Sequence, residues 1–175
     1  MAEDLRPFSQ RAALLLQGAR LVTLATTDAD GRPWDLTANY VFLAGRPVQL
    51  LWYSMRDALH ARNIADNPRV TGSIFRVDLA PPVLEPGLDG LRFSGKARAV
   101  AGGDVELAHE RYFRLGFPDE QLRKQWMLPL ADFTEAGSRC FYTLTIEAWW
   151  LLDIGRQQDR QDRHGNLPEP AQIAP

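Results

Sequence analysis

Cysteine is almost missing from this chain. Cys140 stands alone, so no internal disulfide can brace the fold, and it cannot be combined with three scattered histidines into a recognisable zinc-ligand spacing. It reads as a packed thiol. An excess of charge of one sign is missing too: 20 basic and 22 acidic residues leave a net charge of -2, which argues against a nucleic-acid partner gripped by a broad basic face. No apolar run approaches the about 18 residues of a membrane span, and Ala12–Leu16 is too short even for a signal-peptide core. The expectation is a cytoplasmic protein with no membrane partner. Glycines are dispersed among turns, which removes the dinucleotide fingerprint and the P-loop. Ser94-Gly95-Lys96 lacks the flanking glycines of a nucleophile elbow, so no serine hydrolase is supported.

What is present is an ordinary globular composition, 45% hydrophobic and 24% charged, over a length that suits one domain with a real core. The domain is expected over residues 1–155, followed by a polar, proline-bearing tail, 156–175, of the composition that stays disordered or is ordered only by a partner. A short amphipathic helix is predicted from Pro7 to Gln17. A hairpin follows, with strands over Ala19–Thr27 and Pro33–Leu43 joined by Asp28-Ala29-Asp30-Gly31. In its second strand Trp34, Leu36, Ala38, Tyr40 and Phe42 share one face, and Asp35, Thr37, Asn39, Val41 and Leu43 the other. Val48–Tyr53 reads as a buried strand, Met55–Asn67 as a helix with Ser54 and Asp57 as a capping box, and Arg69–Val77 as a strand. Residues 78–90 hold three prolines and form a loop that could serve as a lid. Leu91–Val100 alternates as a strand, Asp104–Leu115 and Pro118–Met127 are helical, and Phe141–Ile154 is a long strand. Six strands without strand-helix alternation indicate a mostly β, α+β fold built on an antiparallel sheet or barrel with peripheral helices.

Chemistry concentrates between Val48 and Pro68. A helix that starts directly after a buried strand directs free N–H groups and the positive end of its dipole outward, where anions collect. Arg56, His60 and Asn63, spaced by four and three, share one face of that helix. The same spacing also suits an ordinary solvated surface. Trp126, Trp149 and Trp150 are expected in the core or a dimer contact, His109 on the surface and His164 in the tail.

The stretch LLWYSMRDALHARNIADNPRVTGSIF, an aromatic-ended strand, a Tyr-Ser step, a basic helix and Asn-Pro-Arg-Val leading a strand, resembles the flavin-mononucleotide (FMN)-binding split-barrel family related to pyridoxamine 5'-phosphate oxidase. The element order from Arg20 to Ile154 is similar to that family's six antiparallel strands. The resemblance implies a six-stranded split barrel and a homodimer with FMN held at the subunit interface. It also implies a small-molecule substrate or electron donor, with the redox chemistry left to the cofactor, so no catalytic side chain is named. It places the phosphate on His60, Arg56, Ser54 and Tyr53, with Asn63 and Arg62 nearby, and the flavin ring along Thr37, Ala38, Asn39 and Tyr40. Counted back from Asn67-Pro68, His60 stands where relatives often carry lysine. Ala58 and Leu59 stand where pyridoxamine 5'-phosphate oxidase has serine and arginine. Arg62 falls on the opposite side of the helix from His60. The same fold also serves as a non-catalytic binding module for haem, a deazaflavin or another planar ligand.

Overall fold

A computed structural model describes residues 8–76, 89–153 and 158–162. The elements run α1 (Phe8–Gly18), β1 (Leu21–Thr27), β2 (Pro33–Asn39), β3 (Val41–Leu43), β4 (Gln49–Met55), α2 (Leu59–Asp66), β5 (Arg69–Arg76), β6 (Asp89–Ala99), α3 (Asp104–Gly116), α4 (Glu120–Trp126), a 3-10 turn (Leu130–Phe133), β7 (Arg139–Asp153) and β8 (Gln158–Asp162). The strands form one antiparallel sheet in the order β2-β1-β5-β6-β7-β4-β3, with β8 also paired to β7.

The two ends of that order, β2 and β3, are consecutive in the chain and separated by Tyr40 alone. The sheet must therefore curl until its edges approach, which gives a split barrel. The expected mostly β fold is what the chain adopts, with more strands than the six expected. The predicted run 33–43 divides at Tyr40, whose N–H turns aside to the Arg20 carbonyl. Five residues of the polar tail form β8 against β7. The remainder of the tail, with His164, and the lid expected at 78–90 apart from Asp89 and Gly90 of β6, lie outside the described residues.

Period-two burial explains the barrel wall. In β1, Val22, Leu24 and Thr26 are buried while Leu21 and Thr23 are exposed. The β1–β2 turn is held by Asp28, whose Oδ1 accepts from the N–H groups of Asp30 (2.9 Å) and Arg32 (2.8 Å), with Gly31 at φ +79°. β4 is buried on both sides because it is sandwiched. Leu50 and Trp52 face the barrel interior with Leu24, Phe93, Tyr142 and Leu144, whereas Leu51 and Tyr53 face a second, aromatic cluster of Tyr112, Phe113, Phe133 and Phe141 under α3. α1 and α2 close on the first cluster through Leu15, Leu16, Ala61 and Ile64. A bulge sits at Ser94/Gly95, where a Cβ on Gly95 would lie 2.0 Å from the Thr145 carbonyl oxygen.

Candidate functional site

The helix expected over 55–67 is shorter and its capping box is absent. β4 persists through Met55, paired with Arg139, and the Arg56 N–H continues the ladder to the Ser138 carbonyl at 2.9 Å. Ser54 is therefore still strand, opposite Cys140, and cannot cap. The helix starts only at Leu59, with Ala58 in the N-cap position and no side-chain cap. Its first turn is left without a capping acceptor from the protein's own N-cap, the circumstance in which an anion is welcome.

The side chains named from the sequence go to four different places. Arg56 spends its guanidinium on carbonyl groups: Nε donates to Gly137 O at 3.2 Å, and Nη2 donates to Arg139 O at 2.9 Å and Thr134 O at 3.0 Å. It clamps the loop that leads into β7. Tyr53 sits in the aromatic cluster, edge-on to Tyr112 at 5.0 Å and Phe133 at 5.4 Å. Tyr40, His60 and Asn63 turn inward. The Tyr40 hydroxyl donates to Leu16 O at 2.7 Å, and burial raises its pKa. Asn63 Nδ2 donates to Thr26 Oγ1 at 3.0 Å, which in turn donates to Trp34 O at 3.1 Å. The His60 ring is 6% exposed, meets the Tyr142 ring edge-on at 6.1 Å, and leaves Nε2 without a partner. Burial lowers its pKa, so it is neutral near pH 7. Ala38 is half-buried beside the core, and Ser54 is half-buried.

Thr37, Asn39 and Arg62 remain exposed. Thr37 brings β2, the strand on which the resemblance places the flavin ring, to a feature that the sequence did not single out: its Oγ1 lies 3.3 Å from Thr23 Oγ1, and Thr23 lines an open cleft of about 600 Å³ on the outer face of the sheet. The cleft runs across four strands, from Thr23 and Ala25 (β1) over Thr71 and Ser73 (β5) to Arg92 (β6) and Trp150 (β7). Cross-strand register explains the convergence. Thr23 lies opposite Ser73, Ser73 opposite Arg92, and Arg92 opposite Trp150, so one row of side chains crosses the sheet. Its volume is within the usual range for a small-molecule site. The available signal was the recurrence of hydroxyl residues at outward positions of β1 and β5, which each strand read alone does not reveal. Of the two adjacent tryptophans, Trp149 is core and Trp150 is half-buried in this cleft.

A family profile described as pyridoxamine 5'-phosphate oxidase matches residues 8–153. The chain belongs to that family. The match takes in every element from α1 to β7, including α2 and all four strands of the cleft. No curated protein matches the chain by sequence. Solved structures with the same fold include a haem-binding protein from Mycobacterium smegmatis (TM-score 0.62, 18% identity), which covers 90% of this chain. This chain spans only 59% of that protein's length. A haem storage protein from Vibrio cholerae matches with TM-score 0.54 and 21% identity over 78% of this chain and 87% of its own. A FAD-binding protein from Mesorhizobium loti matches with TM-score 0.57 and 17% identity over 78% and 88%. At these identities the shared property is the split barrel. Among the described residues no helix is long and apolar enough to cross a membrane, and no cluster of His, Cys, Asp and Glu could hold a metal ion.

Proposed function

We propose that this protein binds FMN and acts as an oxidoreductase on a small molecule, as a homodimer whose second subunit completes the cofactor site. The observation that carries the reading is the sheet-face cleft. A flavin needs a flat apolar contact and hydrogen-bond partners for its ring edge and polyhydroxyl chain. Trp150 supplies the first, and the hydroxyls of Thr23, Thr71 and Ser73 the second. The uncapped start of α2, with Ser54 and the exposed Arg62, suits the phosphate; because Ser54 pairs with Cys140, about ten residues along β7 from Trp150, the α2 that takes the phosphate in this reading is that of the second subunit. When bound, the flavin supplies the hydride and electron transfer. The chain's own residues bind it, orient it and limit water. The cleft is open on one side, and Leu21 and Phe75, 54% and 44% exposed, are apolar side chains two residues from Thr23 and Ser73 on the same outward faces of β1 and β5. A second copy of the chain would cover that surface and close the cleft.

Haem is the second reading, because solved structures of the same fold from Mycobacterium smegmatis and Vibrio cholerae are of a haem-binding and a haem storage protein. The described histidines favour it less. Neither lines the cleft: His60 is buried in the barrel interior, and His109 packs on Phe113 and Phe133 with Nε2 2.7 Å from the Leu128 carbonyl oxygen. The visible spectrum of the purified protein, followed by titration with FMN and with haem, tests the choice. Flavin bands or saturable FMN uptake are expected, and Trp150→Leu should weaken FMN binding by about tenfold, the worth of one lost stacking contact. A Soret band with no FMN uptake would overturn the flavin reading.

A further inference from the structure

The side chains that fill the barrel interior next to α2 include two polar nitrogens with nothing to bond. Among the described residues, the buried side-chain polar atoms without a partner are Trp52 Nε1, His60 Nε2 and Thr143 Oγ1. Two of these belong to one cluster: Trp52 stacks on Tyr142 with ring centroids 5.4 Å apart, and His60 meets the same Tyr142 ring edge-on. Buried polar atoms are normally paired, and exceptions mark a strained or switchable place. Here the exception sits on the helix whose N-terminus is the candidate anion site.

We infer that α2 is an acid-released latch: neutral His60 seats the helix in the barrel, and protonation of the imidazole unseats it together with the anion site at its start. The phosphate part of this inference rests on the FMN reading above, whereas the latch itself does not. α2 is only eight residues long and is held by four buried side chains, His60, Ala61, Asn63 and Ile64. A helix so short has little stability of its own and depends on its seat. A proton on His60 would place a charge where no acceptor waits, so the charged form is accommodated only with the ring in water.

The groups around the ring give that charge no compensation. β7 presents Tyr142, which burial keeps uncharged near neutral pH by raising its pKa, and, beyond it, the buried Cys140. The charges of Asp57, Arg62 and Asp66 on α2's own segment are exposed, as are Asp35 on β2 and Lys96 and Arg98 on β6. The inward residues of β1 are Val22, Leu24 and Thr26. Arg56, at the end of β4, is cationic and engaged with carbonyls, and its sign opposes a second cation nearby. Burial accordingly lowers the imidazole pKa. The seat also reaches β2, since Asn63 holds Thr26 and Thr26 holds the Trp34 carbonyl of that strand.

Sign and size follow from linkage. With the seated pKa below the unseated value of about 6.5, the unseated state binds more protons as pH falls. Opening of α2 therefore becomes more favourable below about pH 6.5, by at most tenfold per pH unit. The experiment is amide hydrogen exchange on the ligand-free, full-length protein between pH 8 and pH 5, expressed as protection factors, in the wild type and in His60→Gln. A parallel NMR titration of the His60 ring needs no variant. Expected are α2 protection that falls toward tenfold per unit in the wild type, flat α2 protection in His60→Gln, and unchanged β7 protection in both. FMN and riboflavin affinities at pH 8 and pH 5.5 then report the phosphate part, with the wild type losing FMN more steeply than the variant. Flat α2 protection in the wild type, equal loss in both proteins, or a His60 ring that titrates at its ordinary value would overturn the latch. Failure to bind FMN at pH 8 with the expected exchange pattern would instead overturn the cofactor reading and leave the latch standing. Tighter FMN binding on acidification, lost in His60→Gln, would identify a protonated His60 on the phosphate and overturn the inference.

Discussion

Replacing Arg56 separates two roles that the same side chain could play. As a clamp, it makes three hydrogen bonds of 2.9 to 3.2 Å to the carbonyls of Thr134, Gly137 and Arg139, with a longer approach of 3.5 Å to Phe133. Each bond at this exposed position contributes about 0.5–1 kcal/mol net, toward the lower end of the range for such bonds, so Arg56→Met should cost about 2 kcal/mol. For a chain of this size that corresponds to a fall in Tm of about 4–8 °C. Arg56→Lys should lose more than half of the same stability, because one ammonium cannot span three carbonyls that a planar fork reaches together. Thermal and urea unfolding of the two variants, with FMN affinity measured on each, is the assay. A ligand-anchoring role would give the opposite pattern: near wild-type stability, weakened FMN binding, and partial rescue by lysine. If both variants melt within about 1 °C of the wild type, three bonds of the expected worth are absent and the clamp is refuted.

Two further outcomes test the barrel. Gly95→Ala places a Cβ 2.0 Å from the Thr145 carbonyl oxygen, a backbone atom that cannot swing aside, so a loss of at least about 3 kcal/mol in urea unfolding, or failure to accumulate as soluble protein, is expected; a wild-type midpoint would show that the bulge at β6–β7 is not as tight as described. At alkaline pH, burial holds the Tyr142 hydroxyl up to about 12 and the Tyr40 and Tyr112 hydroxyls higher still. Unfolded phenols lose their protons near about 10, so the native state binds more protons above that value and stability must fall as pH rises from about 10 toward 12. Tyrosinate absorbance from these three residues should therefore appear together with loss of structure, and its smooth appearance in a folded protein would contradict their burial.

Much of the fold was legible because strand periodicity and turn chemistry are local. Asp28 to Gly31 announced the first turn, and the alternation of Leu36 and Ala38 against Asp35, Thr37 and Asn39 is the alternation found in β2, although Trp34 at the strand's start is exposed. The capping box failed for a non-local reason: Ser54 and Arg56 are committed to β7, about eighty positions away, and that pairing overrides the helix preference of Met55–Asp57. Arg56 and His60 lie on one helical face by spacing, yet Arg56 precedes the helix and His60 turns into the core. Spacing could not tell a burial face from a binding face, since α2 is short enough for its polar side chains to be drawn inward with it. The cleft was illegible for a similar reason. It exists only in the register between β1, β5, β6 and β7, which no single stretch encodes.

β7 pairs with β4, β6 and β8, and Gln49 on β4 meets Thr145 on β7 across 96 positions of chain. During synthesis this has a cost in time. Translation adds about 5–20 residues per second, so β4 and β6 wait several seconds beside the ribosome with apolar faces and unpaired edges before the strand that joins them exists. The nascent chain is most exposed to mispairing and to holdase chaperones in that interval, and a premature stop between Ala99 and Arg139 would leave β6 and β4 without the strand that joins them.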